Sequence, residues 1–327
     1  MSRERSAVAV VALLVVTAAW GSTFVVVQNA VAHLPVASFL AWRFVIAGAI
    51  LVAARPRSLV TLGRDGWVKG VLIGLALGAG YLLQTAGLRY TTAAVSGFLT
   101  GLAVVFTPML AWALFGQRPA RRVVAGAVVA SLGLAVMSSS GLSMGRGEIL
   151  TLASAVMFAG QVVGLGRWSS KENAYAIATV QLLTVGAISS VLGFWQGLVV
   201  PSRASQWWAI LLTAVVATAF AFVVQSWAQA RLSPSRTAVV LTMEPVFAAL
   251  VAWFAGQSIG ITVVVGGALV VGAMLVVEAM PTRRVSSRVD GEGGRLSCDA
   301  PRVGVAALSG QGSTSSDPAL VGAAERA

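Results

Sequence analysis

Ten stretches of about twenty residues, each apolar on every face, follow one another at approximately 6–28, 36–54, 67–88, 93–115, 122–140, 147–166, 174–197, 207–229, 236–255 and 260–280. At 1.5 Å per residue each is long enough, as a helix, for the roughly 30 Å hydrocarbon core of a bilayer. Membrane barrel strands would alternate in polarity over about ten residues, and these stretches are twice that length and do not alternate. The pattern predicts an all-α integral membrane protein with ten transmembrane helices. The first stretch follows Arg3 and Arg5 and ends near Ala30-Val31-Ala32, as a secretory leader would. It exceeds the 7–15 apolar residues of a leader, so it is expected to be retained as a helix.

Composition agrees: 57% of the 327 residues are apolar, only 10% are charged, and the mean hydropathy is +0.85, far from a soluble domain. Positive charge then sets orientation. With the amino terminus inside, the inner connections hold 16 Lys and Arg, and the outer ones hold three, Arg89, Arg146 and Arg203. Both termini are therefore expected in the cytoplasm, in the cell (plasma) membrane. The net charge of +12 is spread over every inner loop and not gathered on one face, which fits topology and anionic lipid and argues against nucleic-acid binding. Residues 281–327 change character, with seven glycines and seven serines and no apolar period, and read as a disordered cytoplasmic tail. The single cysteine, Cys298, excludes an intramolecular disulfide and a multi-thiolate metal site. The single histidine, His33, has no companion ligands nearby.

The two halves look like copies. Trp20 corresponds to Phe158 and Arg43 to Gln181 at an offset of 138. Arg89 matches Arg231 at 142, Ala111-Trp112 matches Ala252-Trp253 at 141, and Gly116-Gln117 matches Gly256-Gln257 at 140. Drifts of this size are what changes in loop length produce. Five helices per unit is an odd number, so the second unit enters the membrane upside down. The chain divides into residues 1–140 and 141–280, two inverted five-helix repeats, with substrate expected near the midplane between them.

Ala18-Ala19-Trp20-Gly21-Ser22-Thr23-Phe24, the pair Arg43-Phe44, Gly87-Leu88-Arg89-Tyr90-Thr91-Thr92-Ala93-Ala94, the segment from Pro108 to Gly116-Gln117-Arg118-Pro119, and Met243-Glu244-Pro245-Val246-Phe247-Ala248-Ala249-Leu250 together resemble the EamA family. This is the ten-helix branch of the drug/metabolite transporter superfamily, and the resemblance covers roughly residues 6–280. It implies an exporter of amino acids, related metabolites or small amphipathic compounds. Members commonly carry Glu where this chain has Gln117 and Gln257, which puts a contact at the membrane surface in doubt more than the transport path.

Arg43 and Glu244 are the only charged residues deep within the apolar stretches. Charge at that depth is costly and marks a transport path or a partnered group. Glu244 lies about nine residues, roughly 13 Å, into the ninth stretch. Pro245 follows it and deprives the Leu241 carbonyl of its helical donor, so a kink is expected there, as at Pro108. A carboxylate beside a freed carbonyl can exchange a proton or take a cation or an amine; the alternative is a structural bond to another helix. Arg43 reads as a carboxylate clamp, as a group packed on helix-end carbonyls, or as a side chain snorkelling outward. Whether it meets Glu244 depends on the adjacency of the second and ninth helices.

Trp20, Thr23, Tyr81, Gln84, Thr100, Gln161, Gln181 and Gln225 complete the candidate site, with Trp112 and Trp227 as further aromatics. Each polar member of this set can equally bond helix to helix. Trp67, Trp168, Trp207 and Trp208 fall at helix ends, as in an interfacial belt. Gly70, Gly74 and Gly78 repeat every four residues and permit close helix approach.

These readings favour a secondary transporter working by alternating access with protons as coupling ion, in the lipid bilayer, without a cofactor, and with a homodimer as the oligomer left open. The alternatives are a passive channel or facilitator, which would line a continuous pore, and a membrane-embedded enzyme, which would need clustered His, Asp or Glu. No GxxxxGK[ST] loop for ATP occurs in the sequence.

Overall fold

The computed structural model describes residues 3–116, 121–137, 145–170, 172–229, 240–241 and 243–278. They form α1 (Arg3–Val31), α2 (Val36–Ala54), α3 (Arg57–Val60), α4 (Gly63–Gly87), α5 (Ala93–Gly101), α6 (Ala103–Phe115), α7 (Arg121–Met137), α8 (Arg146–Trp168), α9 (Ala174–Trp195), α10 (Ala204–Ala214), α11 (Ala221–Gln229), α12 (Glu244–Phe254) and α13 (Ile261–Glu278), with a π-helical segment, Val215–Phe220, joining α10 to α11. No strand occurs among the described residues. Gln117, the connection 230–239 and the tail fall outside them.

Seven stretches are long and apolar enough to cross a membrane: Val8–Val31, Val36–Ala54, Gly63–Gly87, Ala93–Phe115, Arg146–Trp168, Ala174–Trp195 and Ala204–Gln225. The three other expected spans hold shorter apolar helices, Val124–Gly133, Glu244–Phe254 and Ile261–Val276. The chain is thus an all-α membrane protein in which seven of the ten expected crossings reach full length among the described residues.

Three spans differ from the uninterrupted helices that the sequence predicts. In the fourth, α5 gives way to α6 at Leu102, whose N–H bonds three residues back to the Leu99 carbonyl at 3.1 Å. In the ninth, the Met243 N–H bonds three residues back to the Val240 carbonyl, also at 3.1 Å. The two tight turns stand 141 residues apart, the same offset as Ala111-Trp112 from Ala252-Trp253. α12 begins at Glu244 with Pro245 in its first turn, where the missing N–H has no helical acceptor to lose. Pro108, by contrast, stands inside α6. The eighth span carries the π-helical segment. Gly116 after α6 and Gly256 after α12 take left-handed φ values of 68° and 82°, the conformation that favours glycine at a helix end.

Packing follows the small residues. α2 lies on α9, α4 on α8 and α9, α1 on α12 and α11, α5 on α12, and α7 on α13. Gly70, Gly74 and Gly78 of α4 face Val180, Thr184 and Ile188 of α9, and a Cβ at Gly74 would stand 2.6 Å from that of Thr184. A large core centred on Phe39, Phe44, Leu182 and Ile210 joins α2 to α9 and α10. A second core, including Phe98, Leu99, Val270 and Met274, ties α5 to α13.

Candidate functional site

Arg43 is apolar-flanked on α2 and only 3% exposed, so a partnerless guanidinium here would carry a large desolvation cost. Its Nε donates to the Thr218 hydroxyl at 3.0 Å. The guanidinium carbon lies 5.2 Å from the centre of the Phe44 ring and 5.0 Å from that of Tyr81. A hydrogen bond to a charged group contributes about 1.5–3 kcal/mol, and a desolvated cation over a ring up to about 2. Burial to this degree argues against outward snorkelling, and the Nε bond goes to a hydroxyl rather than to a helix-end carbonyl. It points into the bundle because Thr218, on the π-helical segment against α2, meets it there.

Tyr81 of α4 is the hub. Its ring meets Phe44 edge-on at 4.8 Å and Phe158 of α8 at 5.3 Å. Its hydroxyl lies within electrostatic reach of both the Arg43 guanidinium and the Glu244 carboxyl. Glu244, in the first turn of α12, is partly exposed. α12 packs on α1 and α5, whereas α2 packs on α9, α10, the π-helical segment and α4. Among the described residues no ion pair links Arg43 to Glu244. Lys69 pairs with Asp65 at the start of α4.

Trp20 of α1 meets the π-helical segment. Its indole N–H donates to the Ala217 carbonyl at 2.7 Å, and its ring meets Phe222 edge-on at 6.1 Å. Trp20 and Phe158 stand 138 residues apart and Tyr81 and Phe222 stand 141 apart, offsets that the sequence correspondence also shows. The remaining candidates divide. The Gln84 amide donates to the Thr100 hydroxyl at 2.9 Å. The Gln161 amide donates to the Gln181 side-chain oxygen at 2.9 Å, and the Gln181 amide turns back to the Ile177 carbonyl at 3.3 Å. Thr23 is bonded to the Trp20 carbonyl at 2.6 Å, and Gln225 is half-buried on α11. Trp112 is 49% exposed and stands outside the cluster. The side chain of Trp227 lies outside the described residues.

Sequence reasoning missed Thr218, the Ala217 carbonyl and the roles of Phe158 and Phe222. Thr213 and Thr218 in an apolar run were the available sign, and nothing there announces a π turn.

A second polar cluster closes the face at which α1, α4 and α12 end. The Gln28 amide donates to the carbonyls of Leu88 at 3.2 Å and Thr91 at 2.7 Å. The Gln257 amide donates to the Gln28 side-chain oxygen at 2.7 Å. The Thr91 hydroxyl donates to Glu148 at 2.6 Å, and Arg146 lies over the Tyr90 ring at 4.9 Å. Gln257, one of the two departures from the family pattern, thus has a defined contact.

The sequence profile of the EamA-like transporter family matches residues 7–139 and again residues 145–278. A protein of Archaeoglobus fulgidus named as an uncharacterized transporter is 31% identical over 241 residues, 73% of this chain and 75% of the relative. The uncharacterized transporter YvbV of Bacillus subtilis is 27% identical over 217 residues, 64% of this chain and 69% of the relative. A solved crystal structure shares the fold with a TM-score of 0.60 at 20% identity, covering 84% of this chain and 96% of that one. With two successive family matches and a multi-pass helical fold, the chain belongs to the EamA-like transporter family and is a membrane transporter.

Proposed function

We propose that this transporter is a secondary carrier of small zwitterionic or amphipathic metabolites, such as amino acids, moving them outward across the cell membrane in exchange for protons. Residues 1–140 and 141–280 act as two inverted halves that rock about a site at mid-depth, and both termini face the cytoplasm. The observation that carries this reading is Tyr81, within electrostatic reach of a buried cation, Arg43, and a partly exposed carboxyl, Glu244. A cargo carboxylate would pair with the terminal nitrogens of Arg43, a geometry suited to guanidinium. A cargo amine or a proton would occupy Glu244, so that loading one releases the other. Support for two rocking halves comes from the paired tight turns at Leu102 and Met243, from the left-handed glycines 116 and 256, and from contacts that join corresponding elements.

The test is radiolabelled amino-acid flux in proteoliposomes under an imposed pH gradient, comparing the natural chain with Glu244→Gln. The gradient should drive flux in the natural chain, and the variant should lose that response while still equilibrating cargo. Equal gradient response in both chains would remove Glu244 from the coupling role.

A further inference from the structure

The two halves place an aromatic residue at corresponding positions, Trp20 on α1 and Phe158 on α8, but they hold it differently. Phe158 is packed hard against α4: a Cβ at Gly80 would stand 2.6 Å from its ring. Trp20 is held by a hydrogen bond from its indole N–H to a backbone carbonyl, that of Ala217. In a regular helix that carbonyl would accept from the N–H four residues on; in the π-helical segment Val215–Phe220 the pairing is widened. A widened turn leaves a carbonyl better able to accept from outside, and such turns are frequent at functional sites. The next residue of the same turn, Thr218, is fully buried and receives the Nε of Arg43 at 3.0 Å. The position corresponding to Arg43 is Gln181, which is spent on Gln161 and on its own helix. The polar asymmetry of the site thus coincides with the π turn.

We propose that the π turn Val215–Phe220 positions the binding site, with Thr218 fixing Arg43 through Nε so that the terminal guanidinium nitrogens face an anionic group of the cargo, while the Ala217 carbonyl fixes Trp20 beside it. Thr218 is a positioning residue: it acts on cargo through Arg43. The guanidinium carbon lies close to both the Phe44 and Tyr81 rings, and two terminal nitrogens of a guanidinium can make parallel contacts to one carboxylate. This inference rests on the carrier reading above for its cargo but not for its geometry.

Two measurements keep the geometry and the carrier reading apart. The first is uptake into proteoliposomes of L-phenylalanine and of L-phenylalaninamide, which lacks the carboxylate. Thr218→Val should raise the KM for phenylalanine about tenfold with the maximal rate within about twofold, and should leave the amide unchanged. Thr218→Ser, which keeps the hydroxyl, should restore the natural KM. Equal loss for acid and amide, or no loss at all, would overturn the proposal. The second is the Nε–Hε resonance of Arg43 in ¹⁵N-arginine-labelled protein, assigned by its disappearance in Arg43→Lys. It should shift in Thr218→Val and stay in place in Thr218→Ser. If the natural chain moves neither probe, the cargo reading has failed and this resonance alone decides the positioning claim; a resonance unmoved by Thr218→Val overturns it.

Discussion

Replacing Gly21 by alanine tests how closely α1 must approach the helix that carries Glu244. A Cβ at that position would stand 2.6 Å from the Phe247 Cβ, 2.8 Å from the Ala248 nitrogen and 2.9 Å from the Glu244 carbonyl oxygen. None of these atoms lies at the end of a flexible side chain, so relief requires α1 and α12 to separate by about 1 Å to reach ordinary carbon contact. Overpacking of this kind costs about 1–3 kcal/mol. The displaced segment is the first turn of α12, so Gly21→Ala should lower the apparent melting temperature by about 2–6 °C and reduce flux as well. The control is Gly272→Ala in the middle of α13, where an added Cβ meets nothing within 4 Å; its melting temperature should be unchanged or higher, because alanine is the better helix former. Melting curves in detergent, read beside flux in proteoliposomes, decide the matter. Gly21→Ala as stable and as active as the natural chain would refute the claim that this contact sets the position of Glu244.

Further expectations follow from the same contacts. Arg43→Gln should lower flux of carboxylate-bearing cargo at least tenfold, because it removes a charge-assisted partner worth about 1.5–3 kcal/mol, whereas Gln181→Leu at the corresponding position should cost only about 0.6 kcal/mol of stability and leave flux unchanged; parallel transport and melting assays separate the two. Gln28→Ala removes donors to Leu88 and Thr91 and the acceptor for Gln257. In a Cys298→Ser background that also carries Leu88→Cys, at a position only 2% exposed, it should speed thiol labelling several-fold. Trp20→Phe removes the donor to the Ala217 carbonyl and should raise KM more than it lowers the maximal rate, as measured by initial-rate uptake.

The membrane spans were legible because a bilayer imposes both length and apolarity, and α2 begins at Val36 and ends at Ala54 as the apolar run does. The short α3 was not legible, since four residues carry no period. The tight turns at Leu102 and Met243 were invisible for another reason: each is one shifted backbone hydrogen bond, and apolar side chains on either side read as continuous helix. Arg43 was legible as an anomaly but not as a buried group. Its fate depends on Thr218, 175 residues away, and on a π turn that no local pattern marks. The polar amides were legible as a class, and only the fold separates Gln181, paired with Gln161, from groups that stand near Tyr81. Gln257 was noticed as a departure from the family pattern, and its contact with Gln28 required the third dimension.

The central claim is that the two halves alternate around a site shared by Arg43, Tyr81 and Glu244, and counterflow tests it most directly. Proteoliposomes loaded with unlabelled amino acid and diluted into a trace of the labelled compound should accumulate label transiently above its equilibrium level, and Arg43→Gln should abolish that overshoot. A monotonic approach to equilibrium by the natural chain, with no overshoot, would contradict alternating access and leave a passive pathway in its place.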